Sequence, residues 1–282
     1  MLAGDALAQG IARLRNEGVE SPRLDAELIL AHLLGVNRAA VLARPDRRLT
    51  PKELTQFRDL INRRGAREPL AYVVGQREFY GLEFAVTRHV LVPRPETELL
   101  VERALWLARR LPPVLGIADV GAGSGAIAVT LAVHLPQATI YALDESEEAL
   151  AVTAQNARRH DVYGRLRCLR GDLLEPLAGR QVRLITANLP YVTTAEWEQL
   201  APEIRDYEPR AALDGGPDGL SLIHRLLATA GGYLADGGAL LLEIGAGQGP
   251  AVSRLARTSF PLAAVNLHQD YAGLDRILEI RT

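Results

Sequence analysis

Between residues 114 and 280 the chain alternates short apolar runs with stretches of helical period. Residues 114–120, 139–143, 166–169, 184–187 and 239–244 read as strands. Residues 126–135, 147–159, 220–235 and 250–257 read as helices, and 262–267 and 276–280 as closing strands. Strands this apolar, each followed by a helix, imply a mainly parallel sheet covered on both faces. Ligands of such sheets bind beyond the carboxyl ends of the strands, where the strand order reverses. The residues at those ends are therefore the first candidates for a binding site.

The first strand-to-helix junction is Asp119-Val120-Gly121-Ala122-Gly123-Ser124-Gly125-Ala126. Its glycines permit a tight turn and close approach of a ligand to the backbone. Asp144 ends the next strand, 19 residues beyond Gly125. That is near the offset of about 20 residues at which an acidic side chain takes ribose hydroxyls. A helix cap is its plain alternative. Gly171-Asp172 follows the third strand at the same sheet edge. The loop also fits a dinucleotide pattern if Ala126 stands for the third glycine, so nicotinamide chemistry is not dismissed by the loop alone. Three features disfavour it. The loop follows a helical region, its compact turn suits an amino-acid-bearing nucleoside as well as a pyrophosphate, and the fourth strand ends in residues with no evident hydride-transfer role.

That fourth strand runs into Ala187-Asn188-Leu189-Pro190-Tyr191. Pro190 has a fixed φ and no N–H, and it pushes Leu189 into extended geometry. The Asn188 amide oxygen and the carbonyls of Leu189 and Pro190 can then point into one cavity. Tyr191 adds a flat apolar face with a polar tip. Two acceptors so placed can hold a planar NH2 group by both hydrogens. The plain alternative is a strand followed by an Asn-Pro-type turn.

Residues 1–74 read as an all-helical domain. Apolar residues at helical spacing run from Leu2 to Leu14. Ser21-Pro22 opens a second helix by capping and by Pro at the first position. Asn37 caps a short third helix, and Thr50-Pro51-Lys52-Glu53 is a capping box opening a helix to about Arg64. Residues 68–73 make a last turn. Such a bundle reads equally well as a partner-binding module or a lid. At Gly75 the period becomes two, and residues 75–90 read as a β-hairpin linker turning at Gly81. Val92-Pro93-Arg94-Pro95-Glu96-Thr97-Glu98 then precedes a helix over 99–110. Glu96 and Glu98 suit the positive end of that helix and are also substrate-binding candidates.

Several function classes are excluded or disfavoured. No apolar run reaches the ~18 residues needed to span a bilayer. The N-terminus lacks a basic region followed by an apolar core, and the single cysteine, Cys168, precludes an internal disulfide. A cytoplasmic setting without membrane partners is expected. The net charge of −2 speaks against a main task of gripping nucleic acid. The six histidines are scattered without ligand spacing, so no metal is expected. Cys168, in a strand pattern, reads as a core residue rather than a nucleophile.

Several segments occur in a telling order: Glu68-Pro69-Leu70-Ala71-Tyr72, Phe79-Tyr80-Gly81-Leu82, the 92–98 segment, the 121–125 loop, Asn188-Leu189-Pro190-Tyr191, Asp218-Gly219-Leu220, Leu242-Glu243-Ile244-Gly245 and Asp270-Tyr271-Ala272-Gly273. Together they resemble the HemK/PrmC family, S-adenosylmethionine-dependent glutamine methyltransferases that modify peptide chain release factors. The resemblance spans nearly the whole chain and is weakest over residues 1–65. It implies an α/β fold, a Rossmann-like class I methyltransferase domain over 91–282 joined by the β-hairpin to a small N-terminal helical bundle. It implies S-adenosyl-L-methionine as cofactor. Gly121, Ala122, Gly123, Ser124 and Gly125 would meet its methionine part, Asp144 its ribose, and Asp172 and Leu173 its adenine. Asn188, which would also touch the cofactor, would with Leu189, Pro190 and Tyr191 hold the glutamine of the Gly-Gly-Gln loop of a class I release factor. The helical domain would contact that factor's body, with Glu96 and Glu98 in the substrate-binding set. A monomer without direct nucleic-acid binding is expected. Three positions depart from the family pattern: Leu189 replaces a usual Pro, Arg183 a common Asp, and Leu274 a frequent Arg.

Methyl transfer from a sulfonium is an in-line displacement at carbon, in which the enzyme mainly aligns and desolvates. An amide nitrogen is a poor nucleophile because its lone pair is delocalised. Acceptors on both its hydrogens would aim that lone pair and favour the positive charge that develops on nitrogen. Rival readings are an adenine-N6 nucleic-acid methyltransferase that flips its base, a glutamine methyltransferase of a ribosomal protein, a nicotinamide oxidoreductase and a non-catalytic binding module. No basic target-recognition segment supports the first, and the intact tetrapeptide argues against the last.

Overall fold

The chain forms two compact units, Met1–Gln76 with Ala201–Tyr207, and Arg77–Leu200 with Glu208–Thr282. They are described from a computed structural model covering residues 1–110 and 116–282. Val114 and Leu115, expected to open the first strand of the alternating region, lie outside the described residues.

The first unit is helical: α1 Ala3–Asn16, α2 Pro22–Leu34, α3 Arg38–Leu42, α4 Pro51–Gly65 and α5 Leu70–Val74. Side-chain capping sets two of these five starts. Asn37 Oδ1 accepts from the Ala40 N–H at 2.8 Å, and Thr50 and Glu53 form the expected reciprocal box. Ser21 does not cap α2; its side chain makes no such bond, and Pro22 at the first position sets the start. Leu14, Ile29, Leu30 and Phe57 fill the core. A buried ion network secures the segment Ala201–Tyr207 in this unit. Arg64 Nε donates to Asp25 at 2.7 Å, and Arg64 and Arg67 both donate to Glu203.

The second unit begins with a hairpin, β1 Gln76–Phe79 and β2 Leu82–Ala85. Tyr80 and Gly81 both take positive φ, as a two-residue hairpin turn requires. The expected alternation follows: α6 Thr97–Ala108, β3 Gly116–Val120, α7 Ala126–His134, β4 Thr139–Asp144, α8 Glu147–Arg159, β5 Leu166–Arg170 and β6 Val182–Ala187. Two short helices that the sequence reading lacks come next, α9 Thr194–Trp197 and, within the first unit, α10 Pro202–Arg205. Then come α11 Ser221–Ala230, β7 Leu234–Glu243, α12 Gly249–Ser259, β8 Ala264–Gln269 and β9 Asp275–Arg281. The helix expected over 220–235 thus stops at Ala230. Gly231 and Gly232 each cost a helix about 1 kcal/mol, and Leu234 and Ala235 already belong to the strand.

The seven-stranded sheet has the order β5-β4-β3-β6-β7-β9-β8. β5, β4, β3, β6 and β7 are parallel, and β9 and β8 close the edge antiparallel. Successive residues of β3 and β7 enter opposite cores, Ile117 against Ala118 and Leu241 against Leu240. α6, α7 and α8 cover one face, α11 and α12 the other. Strand order reverses between β3 and β6, so their carboxyl ends diverge and leave a crevice.

Candidate active site

A cavity of about 340 Å³ opens at that crevice, beyond β3, β4 and β6. Its first wall is backbone. Gly121 and Gly123 take φ of +75° and +56°, the left-handed region that glycine enters without strain. The N–H groups of Gly121 and Ala122 both donate to the Leu143 carbonyl at 2.9 Å, which ties the loop to β4. Asp144 braces the turn: Oδ2 accepts from the Gly123 N–H and Oδ1 from the Ser146 N–H, each at 2.9 Å. Each oxygen keeps a lone pair for a ligand hydroxyl. A Cβ at Gly123 would meet nothing nearer than the Gly121 carbonyl at 4.0 Å, so the absent side chain leaves open space. Gly171, Asp172 and Leu173 line the far end, and Asp172 is ion-paired with Arg225 of α11. Glycine backbone, a carboxylate with lone pairs to spare and a far end carrying both Asp172 and Leu173 fit S-adenosyl-L-methionine.

The second wall is Asn188, Leu189 and Pro190, at the end of β6. Asn188 Nδ2 donates to Thr97 Oγ1 at 3.1 Å, so its Oδ1 is the group left to accept. The carbonyls of Leu189 and Pro190 are not equivalent. A Cβ at Gly215 would stand 2.5 Å from the Pro190 oxygen, so that carbonyl packs against Gly215. The Leu189 carbonyl is the one that remains. The Leu189 side chain is buried and lies 3.3 Å from where a Cβ of Gly121 would stand, so it wedges between the two walls. Gln248 clamps Tyr191 at the end of this wall: Nε2 donates to the Tyr191 carbonyl at 2.9 Å, and Oε1 accepts from the Gly245 N–H at 2.9 Å. Glu208 anchors the rim, accepting from Arg94 at 2.7 Å and from the Val92 N–H at 3.2 Å.

Each wall rests on a buried carboxyl. Under the loop, burial pushes Asp119 up to about 7, although it accepts from Thr186 and the Ala128 N–H. Behind Asn188, burial pushes Glu243 up to about 7, while the Thr97 hydroxyl, Arg276 and the Tyr191 hydroxyl pull it down. Tyr191 donates to Glu243 Oε1 at 3.3 Å, and burial raises the phenol above its ordinary value.

Not every residue picked from the sequence lines the cavity. Gly121, Ala122, Gly123, Ser124, Asp144, Asp172, Leu173, Asn188, Leu189 and Pro190 do. Gly125 instead starts α7, where a Cβ would press on Thr153 at 3.0 Å. Tyr191 turns its hydroxyl to Glu243. Glu98 accepts from the Tyr80 N–H at 2.9 Å, and Glu96 is exposed at the start of α6. Thr97, Glu243 and Gln248 carry no sequence signal of their own. Thr97 and Glu243 do lie inside segments of the family resemblance, which gave them no role. Two of the departing positions are peripheral: Arg183 donates to the Asp236 carbonyl, and Leu274 is exposed.

Comparison with known proteins finds matches to two separate stretches. Residues 5–75 match the PrmC N-terminal domain, and residues 117–207 a methyltransferase domain. A release factor glutamine methyltransferase of Moorella thermoacetica is 45% identical over 278 residues, 98% of this chain and 97% of the relative. One from Geobacter sulfurreducens is 44% identical over 266 residues, 94% of this chain and 91% of that one. Among solved structures, a methyltransferase of Pyrococcus furiosus aligns at a TM-score of 0.53 and 18% identity, over 80% of this chain and 97% of that one. A SAM-dependent methyltransferase of Agrobacterium tumefaciens aligns at 0.51 and 16% identity, over 73% and 69%. Those two likenesses concern the fold.

Proposed function

This chain belongs to the release factor glutamine methyltransferase family, and on that premise we propose that its cavity methylates the glutamine side-chain nitrogen in the Gly-Gly-Gln motif of class I release factors. S-adenosyl-L-methionine supplies an electrophilic methyl group. The 121–124 backbone receives the methionine part, Asp144 the ribose hydroxyls, and Asp172 and Leu173 the adenine. Asn188 Oδ1 and the Leu189 carbonyl each accept one hydrogen of the substrate amide. With both N–H bonds held, the nitrogen lone pair is directed along the line of displacement. Both acceptors bind more strongly as positive charge grows on nitrogen, so they stabilise the transition state more than the ground state. Buried Leu189 and Pro190 help keep water from the reacting atoms. The methyl–sulfur bond would break as the methyl–nitrogen bond forms, leaving a neutral thioether, and the strongly acidic N-methylated amide cation would pass its extra proton to solvent, so no side chain of the set is needed as a strong base.

The observation that carries this reading is the bond from Asn188 Nδ2 to Thr97. It commits the donor end of the amide and leaves the acceptor end for substrate. The helical unit, whose family match covers residues 5–75, is proposed to grip the body of the release factor. The test is tandem mass spectrometry of a purified release factor after incubation with enzyme and cofactor. One added methyl group on the Gly-Gly-Gln glutamine, and none on the Gln→Ala factor, is expected. An unmodified factor alongside cofactor binding by calorimetry would turn attention to ribosomal-protein and nucleic-acid acceptors.

A further inference from the structure

One side chain accounts for the glycines of two segments, 218–220 and 242–245. The amide of Gln248, the residue before α12, lies between them. A Cβ at Gly219 would stand 2.7 Å from Gln248 Nε2, and one at Gly245 3.1 Å from Oε1, so a side chain at either position would crowd the amide. The room is used for three hydrogen bonds. Nε2 donates to the Tyr191 carbonyl at 2.9 Å and to the Gly219 carbonyl at 3.4 Å, and Oε1 accepts from the Gly245 N–H at 2.9 Å. All three partners are backbone groups, whose polarity does not change with pH. A turned amide would set oxygen against two carbonyls and NH2 against an N–H, so its orientation is fixed.

The clamp matters because of where Tyr191 sits. β6 pairs with β3 and β7 up to Ala187, and pairing resumes at Val192, which bridges to Asp214. The four residues between, 188–191, make the second wall of the cavity. Their carbonyls are sorted by what holds them. That of Pro190 packs against Gly215 and that of Tyr191 is taken by Gln248, which leaves that of Leu189 for a ligand. Pro190 fixes one torsion of the stretch and narrows those of Leu189. With so few soft torsions, a shift of the Tyr191 peptide carries back to the Leu189 carbonyl. Gln248 itself does not line the cavity.

We propose that Gln248 is a positioning residue for the transfer: by holding the Tyr191 carbonyl, it keeps the Leu189 carbonyl at the distance from Asn188 Oδ1 that the two hydrogens of one amide require. The inference rests on the proposed role of that wall as acceptor of the substrate glutamine.

The experiment measures kcat and KM for a release factor as a function of pH, with the cofactor dissociation constant in parallel, for wild type, Gln248→Met and Gln248→Glu. Gln248→Met keeps the length of the side chain and loses all three bonds. It should lower kcat by roughly 10- to 100-fold, the scale of a small misplacement of a reacting group, with KM nearly unchanged. Cofactor affinity should stay within about twofold, since Gln248 does not touch the glycine loop. Gln248→Glu makes the loss reversible. As a carboxylate it can only accept, and it repels the Tyr191 and Gly219 carbonyls. As a carboxylic acid it donates to Tyr191 through its O–H and accepts from Gly245 through its other oxygen. Those two carbonyls favour the protonated form and move the change above the ordinary carboxylate range. The charged or titratable groups on the surrounding elements are Asp218 beside Gly219, Tyr191 after β6, Glu243 at the end of β7, Arg254 on α12, and Asp275 and Arg276 on β9. The ratio of Gln248→Glu to wild-type kcat should therefore rise as pH falls, while the Gln248→Met ratio stays flat. A Gln248→Met chain that does not fold leaves the pH-dependent ratio of Gln248→Glu as the deciding result. A Gln248→Met enzyme at wild-type kcat, a loss that tracks cofactor affinity, or a Gln248→Glu ratio independent of pH would each overturn the proposal. A wild type that leaves the release factor unmodified would instead refute the underlying reading.

Discussion

The two walls of the cavity are built differently. The wall proposed to receive the cofactor is one contiguous loop that presents its own backbone to the cavity. Its glycines supply left-handed φ angles, and Asp144, the next strand's last residue, braces the turn at 2.9 Å. The wall proposed to receive the substrate is assembled from residues far apart in sequence. Asn188 depends on Thr97, Tyr191 meets Glu243, and Gln248 holds the Tyr191 carbonyl. A backbone site is set by a few φ angles and tolerates change around it. A wall of side chains is set by the direction of each hydrogen bond, and a reversed donor weakens it.

That contrast is open to test, from the largest effect to the smallest. Asn188→Ala removes the substrate wall's central acceptor and should lower kcat by roughly 10²- to 10³-fold. Cofactor binding by calorimetry should barely move; equal loss of both would mean that the walls are not separable. Asp144→Ala should do the reverse. Loss of hydrogen bonds to a charged group should weaken cofactor affinity by roughly 10- to 100-fold, with kcat largely recovered at saturating cofactor. An unchanged dissociation constant would remove Asp144 from the site.

Gly219→Ala probes the substrate wall through the backbone. Gly219 takes φ +71°, and a Cβ there would stand 2.3 Å from the Tyr191 carbonyl oxygen. The variant should lose about 1–3 kcal/mol of stability from strain. It should also turn over roughly tenfold more slowly at normal cofactor affinity, the mark of a displaced substrate wall. A rate loss that tracks cofactor affinity would assign Gly219 to the other wall.

The smallest effect on catalysis comes from Asp119→Asn, and it is read in stability against pH. Folded Asp119 is raised to about 7, whereas an unfolded Asp titrates near 3.9. Between those values the folded chain holds a proton that the unfolded chain has released. Stability therefore falls as pH rises through that window. The cofactor-free Asn variant should show a shallower fall in Tm from pH 5 to 8. An identical slope would mean that Asp119 does not hold its proton.

How far each wall could be read from sequence depends on how it is built. Glycines have one physical meaning at a strand-to-helix turn, so the 121–124 loop, Asp144 and the Asp172 end were legible from spacing. The parallel sheet was legible for the same reason, since its signal lies in local apolar runs. Asn188 was legible because Pro190 stiffens its neighbours. The partners behind it were not. Thr97 looked like a helix-start residue and Glu243 like the end of a strand, and only the fold brings α6 to Asn188 and β7 to Tyr191. Sequence left the Leu189 and Pro190 carbonyls equivalent for the same reason, because Gly215 lies 25 residues beyond Pro190. The 220–235 helix was overextended because Leu234 and Ala235 also fit a helical period.

The most direct test of the central claim is a crystal structure with S-adenosylhomocysteine and a Gly-Gly-Gln peptide. The account predicts the glutamine amide nitrogen within about 3 Å of both Asn188 Oδ1 and the Leu189 carbonyl oxygen. Asn188 Nδ2 should remain on Thr97. A nitrogen bonded to the Pro190 carbonyl, or an Asn188 amide turned to place Nδ2 on the substrate, would contradict it.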